Sequence, residues 1–266
     1  MFNLLIYYIK KFLPRKDRIS SNFQYRHYLF NELIENIDTS NFENFRILEI
    51  GPRDGEDSQR LASLNPKDFF IIDLPNRTKI LKEIIALKNY SSYLEIGCDL
   101  DENFSKIDLK NKIGVDPKSG GTHRMTSDEF FLINKKKFDL IYIDGLHTYE
   151  QAINDIKNST KVLNHNGMIV LHDCLPKKIW NQLVPRMYGH WNGDVWKAIV
   201  EARTWKDFEA FTLIADHGLA IIQNKPNSSI LLNEIKRFKK LTFKQYFNNH
   251  QNFMRPVEYK NLKKFI

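Results

Sequence analysis

The stretch Phe138-Asp-Leu-Ile-Tyr-Ile-Asp-Gly-Leu-His-Thr-Tyr-Glu-Gln151 changes its hydrophobic rhythm halfway along. Its first six residues form a short, nearly continuous apolar run with β-branched and aromatic members, the pattern of a strand buried on both faces. Asp144-Gly145 ends that run, and the residues from Tyr149 to Ser159 read as a helix. A strand that gives way to a helix just beyond an acid is the repeating unit of an α/β fold.

The same unit recurs on either side. Upstream, Tyr93–Ile96 is a strand ending at Gly97, and Lys112–Val115 is a strand ending at Asp116. A helix near Ser127–Phe131 follows, with Ser or Thr as its cap. Downstream, Asn166-Gly167 turns the chain into a strand over Met168–Leu171, which ends at His172-Asp173. A helix lies within Trp191–Arg203. Phe208–Ile214 and Leu219–Ile222 then form a closing antiparallel pair around the turn Asp216-His217-Gly218. This alternation predicts a mostly parallel sheet covered on both faces, a Rossmann-like α/β architecture. Such sheets bind ligands at the carboxyl ends of their strands, so the polar residues at those ends are the candidates for chemistry.

The opening of the unit occurs twice. Leu48-Glu-Ile-Gly51 ends a strand over Asn44–Ile50, and Leu94-Glu-Ile-Gly97 ends the one at Tyr93. After the first copy come a polar helix carrying Leu61 and Leu64, a strand over Phe69–Asp73 and a helix over Lys79–Leu87, and then the pattern restarts. The first copy has the second glycine, in Gly51-Pro-Arg-Asp-Gly55, that the later loop Gly97-Cys-Asp-Leu-Asp-Glu-Asn103 lacks. Three readings stand for it: a remnant of a fused unit, extra strands on the main sheet, or a true first half whose partner begins at Phe138. The unbroken series of strand ends from Tyr93 to Asp173 favours the second copy as the working one. The chain therefore divides into an N-terminal helical segment (1–44), a partial βαβ extension (45–90), the main domain (91–225) and a basic helical tail (226–266).

Here the sequence resembles a known family. The run Phe138–Gln151, with Asp155-Ile156, Asn166-Gly167 and Leu171-His-Asp173, looks like the class I methyltransferases grouped as methyltransferase family 24. Tyr93-Leu-Glu-Ile-Gly97 and Gly114-Val-Asp-Pro117 match that family's opening motifs, and the likeness covers roughly residues 90–223. The resemblance implies a seven-stranded sheet, S-adenosylmethionine as methyl donor and a methyltransferase reaction. It implies Glu95 and Gly97 at the methionine end of the donor, Asp116 at the ribose, Met125 to Asp128 (Ser127 among them) near the adenine, and Asp144 closing the donor site. By the same resemblance Asp144 and Asp173 would hold a divalent ion, for which oxygen ligands suit Mg²⁺.

His147 and His172 are the candidate general bases, since imidazole titrates near neutral pH and an oxygen acceptor gains from losing its proton. The expected reaction is O-methylation of a small-molecule or glycan hydroxyl. Two alternatives are a non-catalytic, methyltransferase-like scaffold and a nicotinamide-dependent oxidoreductase; neither opening offers Gly-x-Gly-x-x-Gly for the latter. Trp180, Tyr188, Trp191 and Trp196 read either as a stacking lid over the acceptor or as core beneath a loop.

Composition narrows the rest. The chain has 266 residues, 42% hydrophobic and 13% aromatic, enough for a packed core. Its formal charge is +8, from 40 Lys+Arg against 32 Asp+Glu, and the cluster Lys236–Lys240 reads as a solvated face. No zinc finger, RNA-recognition signature or other nucleic-acid module occurs. Two cysteines, Cys98 and Cys174, support neither a disulfide framework nor a thiolate zinc site and read as reduced cytoplasmic thiols. The apolar start, Met1–Leu13, lacks a basic leader and cleavage site. It reads as an amphipathic helix that docks on the protein or contacts a membrane surface.

Overall fold

The computed structural model describes residues 46–50, 66–72, 75–187, 191–232 and 235–266. The expected helices of 1–44, the polar helix with Leu61 and Leu64, residue Asp73 and Tyr188 lie outside the described residues, as does the membrane contact expected of residues 1–13. The chain separates into two compact units, Met1–Leu74 and Pro75–Ile266. That boundary falls earlier than residue 90, because the helix after Leu74 packs into the second unit's core.

In the first unit, β1 (Arg46–Ile50) and β2 (Asp68–Ile72) pair in parallel with each other as a two-stranded sheet.

The second unit is built on a seven-stranded sheet. Its strands in chain order are β3 (Ser92–Ile96), β4 (Asn111–Val115), β5 (Phe138–Ile143), β6 (Leu163–Leu171), β7 (Glu209–Ile214), β8 (Leu219–Gln223) and β9 (Pro256–Glu258). In space the order is β4-β3-β5-β6-β8-β7-β9. The first four are mutually parallel, β8 runs antiparallel to β6 and β7, and β9 runs parallel to β7. β3 therefore lies between β4 and β5, paired with both. The second Glu-x-Gly copy is part of the main sheet.

Period-two alternation divides each strand between two cores. Leu94, Ile96, Ile141, Ile143, Ile169 and Leu171 point to one face. There they meet α2 (Ser127–Ile133), α3 (Tyr149–Lys161), α4 (Trp196–Ala202) and α5 (Phe243–Met254). Tyr93, Leu140, Tyr142, Met168, Val170, Phe211 and Ile221 point to the other face, under α1 (Arg77–Lys88) and the short C-terminal helix α6 (Leu262–Phe265). Both faces are covered, which is why the strands read as apolar throughout rather than alternating.

Helix ends are fixed by side chains, and at α2 the cap is the Thr that the sequence offered. Thr126 and Glu129 form a reciprocal capping box at α2, Thr148 caps α3, and Thr242 with Gln245 caps α5. Asn76 does the same for α1.

Two expectations need correction. The strand expected to start at Met168 begins at Leu163, because Asn166 takes a left-handed conformation (φ 60°) and lets the ladder shift register between Phe138 and Leu140 without ending. The C-terminal region is not helical throughout: it supplies β9, and it buries Tyr246, Phe253, Met254 and Val257 in the two cores. No helix among the described residues is long and apolar enough to cross a membrane.

Candidate active site

In this strand order the chain leaves β3 towards β4 on one side, while β5 and β6 build the other. The crevice between the carboxyl ends of β3 and β5 is the topological switch point, where open α/β sheets bind ligands. Gly97 follows β3 and Asp144 follows β5, and the Asp144 amide donates to the Ile96 carbonyl at 2.8 Å. Gly97 sits at φ 85°, and a Cβ there would lie 2.6 Å from the Asp144 carbonyl carbon and 2.8 Å from the Gly145 Cα. Glycine is required by this approach of two backbones, before any ligand is considered.

A cleft opens over this point, lined by Arg77, Glu95, Gly97, Asp99, Glu102, Asn103, Asp144 and His147 among others. Glu95 is 1% exposed and its carboxylate faces inward. Oε2 accepts from the Tyr93 hydroxyl at 2.5 Å and from Asn103 Nδ2 at 2.8 Å, and Thr78 donates to Asn103 Oδ1 at 2.8 Å. Burial outweighs these donors and pushes the carboxyl up to about 7. A carboxyl raised in the folded state adds stability below its unfolded value, and that stability fades as pH rises through 7. The penalty at pH 8 is about 3 kcal/mol, at about 1.4 kcal/mol per unit. Glu95→Gln is therefore expected to remove most of the fall in melting temperature between pH 5 and 8, measured by thermal unfolding; an unchanged slope would place the titrating group elsewhere.

Asp116 ends β4 and accepts three backbone N–H bonds, from Lys118 and Ser119 on Oδ1 (2.8 and 2.9 Å) and from Asp99 on Oδ2 (3.0 Å). Burial opposes ionisation, but these donors hold the carboxyl below the usual carboxylate range. Asp116 thus ties the loop after β3 to the loop after β4. Ser127 lies apart from the cleft lining, at the start of α2, where its Oγ accepts from Gln151 of α3 at 3.2 Å.

The other side of the crevice is a mixed acid and imidazole cluster. Asp144 Oδ1 contacts His147 Nε2 at 3.3 Å and His172 Nδ1 at 3.2 Å, while Oδ2 accepts from the Tyr142 hydroxyl at 3.1 Å. His147 Nδ1 lies 3.2 Å from the Trp191 carbonyl oxygen and 3.5 Å from Asp173 Oδ2. The imidazole stacks on Trp191 with ring centres 5.2 Å apart. Gly193 (φ 64°) permits this, since a Cβ there would overlap the His147 backbone. Asn192 Nδ2 donates to Asp173 Oδ1 at 2.9 Å.

The two histidines differ. His172 is 6% exposed and bridges Asp144 and Asp216, the latter 3.6 Å from its Nε2. Burial would lower it, but the carboxylates around it raise it to about 10. His172 is a buried cation at neutral pH, poorly suited to accept a proton. His147 is also raised above its ordinary value by Asp144 and Asp173 against the effect of burial, and its side chain is 19% exposed at the cleft. Asp144 is the counterpart: burial opposes ionisation, but His172 and His147 hold it well below the usual carboxylate range.

Asp144, His147 and Asp173 each bring a ligand atom within 4.8 Å of the others, a spacing that fits a divalent cation. The two carboxylates provide the oxygen donors Mg²⁺ prefers; the imidazole makes the set mixed.

The structure also separates the aromatic quartet. Trp191 covers His147, Trp180 is 37% exposed, and Trp196 is fully buried against Tyr246 as core. Sequence reading missed Arg77, Asn103 and Asp216. Asp216 read only as a turn residue. Arg77 and Asp216 meet across more than one hundred positions, the Arg77 amide donating to Asp216 Oδ2 at 2.6 Å.

Comparison with known proteins follows this geometry. The family model described as a methyltransferase domain (methyltransferase family 24) matches residues 48–174, from the first Glu-x-Gly copy to just past His172-Asp173. No curated protein matches the chain. Among solved structures, the chain is similar to a methyltransferase of Podospora anserina bound to S-adenosylhomocysteine (14% identity, 56% of this chain, 78% of that one, TM-score 0.45). It is also similar to an O-methyltransferase of Bacillus cereus in complex with the same product (11%, 56% and 80%, TM-score 0.44). A putative caffeoyl-CoA O-methyltransferase of Staphylococcus aureus shares 20% identity over 74% of this chain and 83% of that one, at a TM-score of 0.30. The family match, taken with the strand ends it contains, makes the stretch 48–174 a class I, S-adenosylmethionine-dependent methyltransferase domain of the family-24 type.

Proposed function

We propose that the enzyme transfers the methyl group of S-adenosylmethionine to the hydroxyl of a small or sugar-like acceptor, in the reducing setting of the cytoplasm. The observation that carries the hydroxyl reading is His147, held at the edge of the cleft between Asp144 and Asp173 beneath Trp191. A hydroxyl is a poor nucleophile until it loses its proton, so an imidazole at the reacting end is the group such an acceptor needs. In-line displacement at a sulfonium methyl otherwise depends on positioning, which the two facing strand ends provide. Both cysteines are free and buried, which suits a reducing compartment.

In this reading the donor lies along the ends of β3, β4 and β5. Glu95 and the Gly97 loop border its methionine half, and Asp144 closes the site. Asp116 takes the ribose diol, since the two oxygens of one carboxylate can accept from both hydroxyls. Ser127 lies towards the adenine. Asp144 and Asp173 would hold a divalent cation such as Mg²⁺, which would supply positive charge favouring the ionised acceptor oxygen. His147 keeps the proton on Nδ1, which faces the Trp191 carbonyl and Asp173, and takes the acceptor's proton on Nε2, where Asp144 then pairs with the imidazolium that forms.

The test is transfer of labelled methyl from S-adenosylmethionine to panels of small hydroxyl and amine compounds, with and without EDTA. Labelling of hydroxyl acceptors, reduced by EDTA and restored by Mg²⁺, is the expected result. Labelling of amines alone would overturn the hydroxyl reading. Asp116→Ala is expected to weaken donor binding about 10-fold or more by calorimetry; unchanged binding would remove Asp116 from the ribose site.

A further inference from the structure

The cleft is acidic on nearly every side, with Glu95, Asp99, Glu102 and Asp144 in its lining. Against them stand two basic side chains, His147 and Arg77. Arg77 is the first residue of α1, and its backbone amide is already bound, donating to Asp216 Oδ2 at 2.6 Å. Its guanidinium is much less engaged. It carries five N–H donors, and among the described residues its one hydrogen bond is a long contact from NH1 to the same carboxylate oxygen, at 3.5 Å. The side chain is 30% exposed, so the remaining donors can reach a ligand in the cleft.

The methionine half of the donor has the complementary pattern. It carries an ammonium and a sulfonium, which suit acidic walls, and one carboxylate, which those walls would repel. A planar guanidinium is the side chain best matched to a carboxylate. We propose that Arg77 binds the α-carboxylate of the methyl donor. This rests on the donor reading above and adds a selectivity to it: the site distinguishes the complete amino-acid donor from one lacking the carboxylate. A neutral or cationic group in that place would offer the free guanidinium donors no acceptor and forgo a charge-assisted hydrogen bond.

The minimal pair of probes is S-adenosylmethionine and its decarboxylated form, which keeps the sulfonium and a primary ammonium. Both would be titrated into the full chain by calorimetry. The wild type is expected to bind the complete donor about 10- to 100-fold more tightly. Arg77→Gln should lose that preference, binding the two probes with similar affinity, and Arg77→Lys should restore part of it. The tie from the residue 77 amide to Asp216 survives in both variants, so α1 keeps its anchor. Equal binding of the two probes by the wild type would overturn the proposal while leaving the donor reading in place, without recourse to any variant. An equal loss for both probes in Arg77→Gln would overturn it in favour of a purely structural role. Failure of the wild type to bind either probe would remove the donor reading, and this proposal with it.

Discussion

Replacement of Gly97 by alanine is expected to lower the stability of the second unit by about 3 kcal/mol or more, whether or not a donor is present. Two costs add. A residue with a Cβ held at φ 85° pays about 1–2 kcal/mol for the left-handed region. The new methyl must also displace the Asp144–Gly145 backbone, since its ideal position lies 2.6 Å from the Asp144 carbonyl carbon, and overpacking of this kind costs about 1–3 kcal/mol. That backbone is fixed by the bond from the Asp144 amide to the Ile96 carbonyl, so it has little room to withdraw. Chemical denaturation of the ligand-free protein measures the effect. A normal midpoint combined with lost donor binding would show that the glycine serves the ligand alone.

Replacement of His147 by alanine is expected to lower the rate of methyl transfer by about 10²–10⁴-fold, the usual contribution of a positioned base. Affinity for the donor should change little, because the contacts of His147 are with Asp144, Asp173 and Trp191 and not with Glu95, Asn103 or Asp116. Single-turnover transfer and donor calorimetry, measured on the same preparation, separate the two quantities. His172→Ala offers the contrast. That ring bridges Asp144 and Asp216 below the surface, so its removal should cost both carboxylates a shared cationic partner and appear first as lost stability. A full transfer rate in His147→Ala would take the proton-accepting role away from this residue.

Much of this architecture was legible because its signals are local. Each parallel strand is an apolar run that ends at Gly97, Asp116, Asp144 or His172, and position at a strand end is enough to send those residues towards one edge of the sheet. The Thr cap of α2 follows from side chain and spacing alone. What stayed hidden depends on long-range contact. Nothing in a single turn says that Asp216 will hold both Arg77 and His172, since the three belong to different elements that meet only when β8 inserts beside β6. The difference between the two histidines was hidden for the same reason: each follows a strand, and only the number of carboxylates around the folded ring separates them. Trp196 and Trp191 looked alike in sequence, yet one fills the core and the other covers the cleft. Asn166-Gly167 reads as a turn, but the neighbouring ladder absorbs it as an irregularity within a longer strand.

The short β9 has a consequence for how this protein behaves in company. Without it, β7 would present a row of free amides and carbonyls along Thr212–Ile214, a template on which any extended chain could grow. β9 occupies that row with three residues and then offers a poor template of its own: it begins with Pro256, which has no amide to donate, and ends with the exposed carboxylate of Glu258. The sheet stops growing because its last strand is a bad partner, a brake made of three residues that stand outside the lining of the cleft.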